Sequence, residues 1–194
     1  NKTVASAEKI RTYYFNQGYF DALVKKEVTL NFKKSSVHYY IEKKKPYHLA
    51  NITSSIESAI VDSIFKKNAK ASFLRERDRY IDQNFREEAK RLTNLFRNSG
   101  VYHFTENLIG FYNIDTLASN HRTDVLLKIA NRVSEKEGKL ISHPLKIQTL
   151  KNIKIYTDYS YQKKGQAYLD STSYNGFQFY AHDKLKYRPK SLLN

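Results

Sequence analysis

Apolar residues fall along this chain in short bursts that switch between a helical rhythm and a strand rhythm. In Asp82 to Phe104 (DQNFREEAKRLTNLFRNSGVYHF), Phe85, Ala89, Leu92 and Phe96 recur at spacings of four, three and four, which puts them on one helical face while Arg86, Glu87, Lys90 and Arg91 point elsewhere. Asp82 reads as the N-cap. Gly100 reads as the stop, because the residue just past the last turn favours the left-handed conformation that glycine adopts without a Cβ penalty. Tyr102, His103 and Phe104 follow as an aromatic run. The pattern has an earlier copy: Ala7, Ile10 and Tyr14 share a helical face, and Asn16, Gly18, Tyr19 and Phe20 answer Asn98, Gly100, Val101 and Tyr102. Such self-similarity predicts an array of modules.

In order, Thr3 to Gln17 is expected as a helix and Leu23 to Phe32 as a half-buried strand, with Val24, Val28, Leu30 and Phe32 among polar residues. Lys33 to Ser36 is a turn, and Val37 to Glu42 alternates again. The first unit thus reads helix, strand, strand. Lys43 to Lys45 with Pro46 marks a boundary. Tyr47 to Ile56 is the next strand and Ser58 to Lys67 a helix, its Ile60, Val61, Ile64 and Phe65 at helical spacing. Asn68 to Tyr80 fits either a helix extension or a loop. After the Asp82 helix come strands at Leu108 to Ile114 and Val125 to Ala130, separated by a polar turn. This unit reads strand, helix, helix, strand, strand. Asn131 to His143 is expected as a charged linker or long loop. Pro144 then stands where Pro46 stood, ahead of a strand at Ile153 to Tyr156, a Tyr-, Ser- and Asp-rich loop, a short strand at Phe177 to Tyr180 and the basic tail KLKYRPKSLLN. No helix pair of this third unit is expected before the chain stops.

A length of 194 residues holds two small domains as readily as one. With 16 Tyr and 11 Phe, the apolar content suits thin modules with aromatic faces. No apolar run approaches the roughly 20 residues of a membrane-spanning helix. The chain opens on Asn and contains no Met, which predicts a piece of a longer protein. Zero Cys excludes disulfides, thiolate metal sites and thiol nucleophiles. The net charge of +15 raises nucleic acid or an anionic surface as partners. Its spread argues otherwise: residues 1–45 carry +6, 46–143 carry +3 and 144–194 carry +6. Lys25, Lys33 and Lys34 read as solvated strand positions that protect sheet edges.

Catalytic and metal chemistry finds little support. The six histidines (His38, His48, His103, His121, His143 and His182) form no ligand pair at helical or turn spacing. Asp115, His121 and Asp124 cluster at one turn, where Asp serves conformational ends as readily as cation binding. Glu87 and Glu88 are neighbours on a helix and point apart, a poor acid–base pair. No phosphate loop, nucleophile elbow or HExxH occurs. The sequence therefore predicts no enzyme, no cofactor and no metal. Lys184 to Lys190 with Tyr187 is a stacking-plus-cation segment that keeps a nucleic-acid-binding module as an alternative, although no RNP-like motif accompanies it.

The specific motifs are Leu92, Leu95, Arg97, Asn98, Gly100, Tyr102 and Phe104, followed by Ile109, Phe111, Ile114, Asp115 and Thr116, together with NQGYFDA around Asn16, Gly18 and Tyr19. They resemble the polypeptide-transport-associated (POTRA) domains of outer-membrane assembly proteins of the BamA/TamA family. Tyr174 to Phe177 and Tyr187 to Lys190 look like the start of a further module in Bacteroidetes-type members. Ile52 to Ile56 leans towards the TamA-type branch. The resemblance implies an α+β fold of tandem β-α-α-β-β modules, each a small three-stranded mixed sheet covered by two helices. On that frame residues 1–43 are the C-terminal part of one module, 44–131 a complete module, 132–143 a linker and 144–194 the start of an atypical one. It further implies a periplasmic arm, ahead of a membrane barrel in the same protein, that performs no covalent chemistry. Its partners would be unfolded outer-membrane proteins and further assembly subunits, lipoproteins or an inner-membrane component. An open strand edge binds extended chains regardless of their sequence, by β-augmentation. The edge strands are expected after each glycine: Val28 and Leu30 in the first unit, and Leu108, Ile109, Gly110, Phe111, Tyr112 and Asn113 in the second. Gly110 would admit a guest backbone or mark a β-bulge. A spacer that only sets distances between partners is the remaining alternative.

Overall fold

Helices and small mixed sheets alternate in the computed structural model, an α+β architecture that describes residues 2–32, 34–114 and 120–193, with the backbone only at Asn113 and Ile114. The chain divides into two compact units, residues 1–147 and 148–194.

The first unit opens with helix α1 (Lys2–Asn16) and the antiparallel hairpin β1 (Leu23–Asn31) and β2 (Lys34–Glu42), paired in unbroken register from Leu23↔Glu42 to Asn31↔Lys34. Thr3, Ala7, Ile10 and Tyr14 are the half-buried stripe of α1. Lys26 Nζ donates to Thr3 Oγ1 at 3.1 Å, and the Tyr39 hydroxyl donates to the Thr3 carbonyl at 3.4 Å.

A strand-helix-helix-strand-strand run follows in the same unit: β3 (His48–Ile56), α2 (Ala59–Lys67), α3 (Asp82–Asn98), β4 (Ile109–Ile114) and β5 (Arg122–Ile129). The sheet order is β3-β5-β4, with β3 parallel and β4 antiparallel to the central β5. Strict alternation on β5 sends Thr123, Val125, Leu127 and Ile129 to the buried face. There Val61, Leu92, Phe96, Val101, Phe104, Leu127, Ile129 and Leu145 make the main core, and Leu49, Leu74, Phe85 and Val125 a second cluster; Phe111 packs against both. Removing Phe96 and Phe104 wholly from water contributes about 1.5–3 kcal/mol each.

Both helices named in the repeat end the same way. The Gly100 amide bonds the Arg97 carbonyl and the Val101 amide reaches back to Phe96, while the Gly18 amide bonds Phe15 and the Tyr19 amide reaches Tyr14. These are the paired hydrogen bonds of a Schellman cap, and they require the left-handed φ of 84° at Gly18 and 89° at Gly100. The motif's apolar contact is present as well: Val101 shares the core with Phe96, and Tyr19 meets Tyr14 edge-on with ring centres 6.1 Å apart.

Several expectations change. Asp82 is the first residue of α3 and Ile81 its cap; the Asp82 carboxylate instead accepts from Arg86 Nε at 2.9 Å. Ser58 precedes α2 without capping it, because its hydroxyl is bonded to Asn131 Oδ1 and accepts the Leu145 amide at 2.8 Å. Residues 68–80 do not extend a helix: after a short 3-10 turn at Ala69–Ala71, Arg77 to Tyr80 lies along β3. The stretch 132–143 is a hairpin, β6 (Arg132–Lys136) and β7 (Lys139–His143), turned by Glu137 and Gly138 with φ of 53° and 74°. Two positive φ values make a two-residue turn whose twist suits a hairpin.

In the second unit, β8 (Ile153–Tyr156), β9 (Asp170–Tyr174) and β10 (Phe177–Ala181) are ordered β8-β10-β9, β8 parallel and β9 antiparallel to β10. This is the strand plan of the β3-β5-β4 sheet. The crossover between the first two strands holds only a 3-10 turn at Tyr161–Lys163, where α2 and α3 lie between β3 and β4. Tyr168 from that crossover packs against Tyr156, Tyr180 and His182 with ring centres 4.8, 5.9 and 4.3 Å away. Asn175 and Gly176, expected to start a further module, are the hairpin turn between β9 and β10, with φ of 49° and 80°. Arg188 caps the short helix α4 (Pro189–Leu192).

Candidate functional site

A three-stranded sheet has two edges, and here they differ. The outer side of β3 is taken over its first part: the Leu49 amide donates to the Asp78 carbonyl at 2.8 Å, Arg77 donates to the Leu49 carbonyl at 2.8 Å and Tyr80 to that of Tyr47 at 2.9 Å. The ladder to β5 is interrupted between Leu49 and Ile52, and the Asn51 amide freed by this bulge donates to Asp124 Oδ1 at 2.9 Å. The outer side of β4 has no backbone partner among the described residues, although its inner side pairs with β5 without a break from Ile109↔Ile129 to Ile114↔Asp124. Its N–H and C=O groups are a template for another strand.

The expected edge residues divide by role. Leu108 lies outside the strand, closing a 3-10 turn (Glu106–Leu108); its side chain packs on the core and its carbonyl accepts the Ala130 amide at 3.0 Å. Ile109 and Phe111 also face the core. Gly110 and Tyr112 face the other way, opposite Lys128 and Leu126. The unbroken register excludes a bulge at Gly110. A Cβ there would lie 2.8 Å from Cε2 of Tyr112, so the tyrosine ring folds back over the glycine and fills the space expected for a guest backbone. What remains accessible is the edge itself. Asn113 continues the strand through its backbone, opposite Val125. Val28 and Leu30 stand exposed on β1, whose described strand partner is β2.

Of the motif residues, Asn16 and Asn98 are the last of α1 and α3, Gly18 and Gly100 form the caps and Phe104 is fully buried. Tyr102 is 71% exposed and takes no part in the core. Asp115 and Thr116 lie outside the described residues. Of the turn cluster, Asp124 holds the β3 bulge and the His121 ring meets Tyr47 edge-on at 5.1 Å, while Asp115 lies outside the described residues. No group of three metal-ligating side chains occurs among the described residues.

Sequence reasoning missed the contact made by the first glycine motif. Phe20 sits 4.7 Å from Phe15, 4.8 Å from Tyr47 and 4.9 Å from Tyr80 between ring centres, and the Tyr47 amide donates to the Gly18 carbonyl at 2.8 Å. The Arg79 guanidinium lies over the Tyr19 ring at 5.7 Å. Burial, reinforced by Asp21, holds the Tyr47 phenol above its ordinary pKa. The signal in the sequence was Tyr80 and Phe85 continuing the aromatic series past Tyr47. A cavity of about 690 Å³ opens beside this junction, with Lys45, His48, Arg77 and Arg122 in its wall and Glu76 among them.

With this geometry in place, comparison with known proteins bears on the N-terminal part. Residues 1–44 match the POTRA family, described as a surface antigen variable number repeat. That span is α1 with the β1–β2 hairpin. No curated protein sequence matches the chain. A Haemophilus influenzae BamA fragment of POTRA domains 3 to 5 is similar at 13% identity and a TM-score of 0.41, over 93% of this chain and 80% of that one. BamA from Haemophilus ducreyi lacking POTRA domains 1 to 3 is similar at 13% identity and a TM-score of 0.38, over 69% of this chain and 24% of that one. No helix among the described residues is long and apolar enough to cross a membrane.

Proposed function

We propose that this chain is the periplasmic POTRA region of an outer-membrane β-barrel assembly or translocation protein of the BamA/TamA family, and that β4 receives extended segments of unfolded outer-membrane proteins by β-augmentation. The observation that carries the reading is the asymmetry of the sheet: the first part of β3 is covered by Arg77 to Tyr80, whereas the outer side of β4 has no backbone partner among the described residues. Backbone pairing reads no side chains, which suits a binder of many clients. The POTRA match over residues 1–44 and the repeated Schellman cap support extending the same module to residues 48–129. Within the family, the ITSSI segment at Ile52–Ile56 is what favours the TamA-type branch. Partner subunits dock on the same arm, and the role is binding, not covalent chemistry.

Amide exchange with and without an unfolded barrel-strand peptide tests this. Protection is expected at Gly110 to Asn113 and not at Leu49. Unchanged exchange along β4 overturns the client-binding reading. The close junction at Gly18 favours a second reading, a rigid spacer, and that result would leave the spacer standing.

A further inference from the structure

We propose that the corner after α3 is a binding site for a phosphate group. A cavity of about 500 Å³ there is lined by Arg97, Tyr102, His103, Thr105 and Arg132, with no carboxylate among the described residues of its wall. Its walls are fixed by the fold. The Schellman cap at Gly100 and the burial of Val101 and Phe104 turn the intervening Tyr102 and His103 outward, their rings 5.1 Å apart. Arg97 is held by its Nε, which donates to the Phe104 carbonyl at 2.9 Å, and its two terminal nitrogens have no partner among the described residues. Arg132 begins β6 and meets no carboxylate among the described residues. The C-terminal end of α3 carries partial negative charge, which the amides of Ser99, Gly100 and Val101 offset only in part, so an anion is held here by the two full guanidinium charges against that field.

Donor supply selects the ligand. One guanidinium fork satisfies a carboxylate in bidentate fashion. Two forks with a phenol, a threonine hydroxyl and an imidazole suit a group with three or four oxygens spread in a tetrahedron. The 690 Å³ cavity, by contrast, contains Glu76. The shared chemistry is a phosphate monoester or diester, whether a lipid headgroup or a soluble compound.

The test is titration of the 194-residue chain with inorganic phosphate, followed by amide and arginine Nε resonances, in parallel with flotation on phosphatidylcholine vesicles with and without phosphatidic acid. Saturable shifts centred on Gly100 to Thr105 are expected. Arg132→Gln should raise the half-saturating phosphate about tenfold, the loss of one bidentate fork, and Arg132→Lys should recover only part. Lys139→Gln, an equal change of charge on the neighbouring strand, should leave it within about twofold. Flotation with phosphatidic acid that Arg132→Gln abolishes assigns a lipid headgroup; phosphate saturation without it assigns a soluble ester. Equal weakening by Arg132→Gln and Lys139→Gln, or shifts scattered over the lysines, overturns the site.

Discussion

Gly18 lies directly under the carbonyl of Tyr80: a Cβ at this position would stand 2.4 Å from that oxygen, and the obstacle is backbone. The same residue holds φ at 84° and accepts the Tyr47 amide, so one glycine closes α1 and seats it against the start of β3. Gly18→Ala is expected to cost more than about 2 kcal/mol, because left-handed strain and a clash add. Gly138→Ala is the control: its φ is 74° but nothing lies within 4 Å, so strain alone, about 1 kcal/mol, applies. Thermal melts should rank the two, and the Tyr47 amide should lose exchange protection only in Gly18→Ala.

Glu88 is 1% exposed on the inner side of α3, where Arg91 grips it through two bonds of 2.9 and 2.7 Å and the Phe73 amide donates to it at 3.0 Å. Its role is to tie the 68–80 segment to the helix. Glu88→Ala leaves a poorly solvated guanidinium and a backbone donor without partners, a loss of about 3–5 kcal/mol. Chemical denaturation should show the drop in midpoint. Glu87→Ala, on the exposed face, should stay within about 0.5 kcal/mol.

Gly110 and Gly18 make opposite predictions although each is crowded. At Gly110 the near atoms are the ring end of Tyr112, a side chain more than half exposed and free to swing away. Gly110→Ala should therefore change stability by less than about 1 kcal/mol. A photoreactive residue at Tyr112 in the full-length protein in cells should yield adducts to nascent outer-membrane proteins. A single discrete adduct would instead assign a docking scaffold, and no adduct would leave the spacer role.

The helices and most strands were legible because their apolar residues keep one period: Phe85 to Phe96 marks the face of α3, and alternating residues mark β5. The hairpin at 132–143 was hidden because both its strands are exposed, so no buried side imposes alternation, and its turn is Glu-Gly instead of the commoner Asn-Gly. Asn175-Gly176 misled in the opposite sense, since Asn and Gly serve both helix caps and hairpin turns. At the candidate site, the edge position of β4 could be read from strand order, but the blocking of β3 could not: it depends on Arg77 to Tyr80, whose charges carry no period. Glu88 was hidden for a related reason, because a charged residue on the rim of an apolar face reads as solvated until its partner is seen.

The second unit should carry its own acid sensitivity. Burial works to raise the pKa of Asp158, but the His182 amide, bonded to both carboxylate oxygens at 3.1 and 3.0 Å, and Lys163 outweigh it, and the net shift is downward. A carboxylate whose folded pKa is depressed stabilises the fold above its unfolded pKa of about 4 and loses that contribution as the pH falls through the folded value. The unit around β8–β10 should thus loosen below about pH 4. The His182 amide resonance, followed on acidification, should report the loss. Asp158→Asn keeps one acceptor for that amide but cannot titrate, so its stability below neutral pH should depend less on acidity than that of the parent chain. An equal acid response in both proteins would place the sensitivity elsewhere.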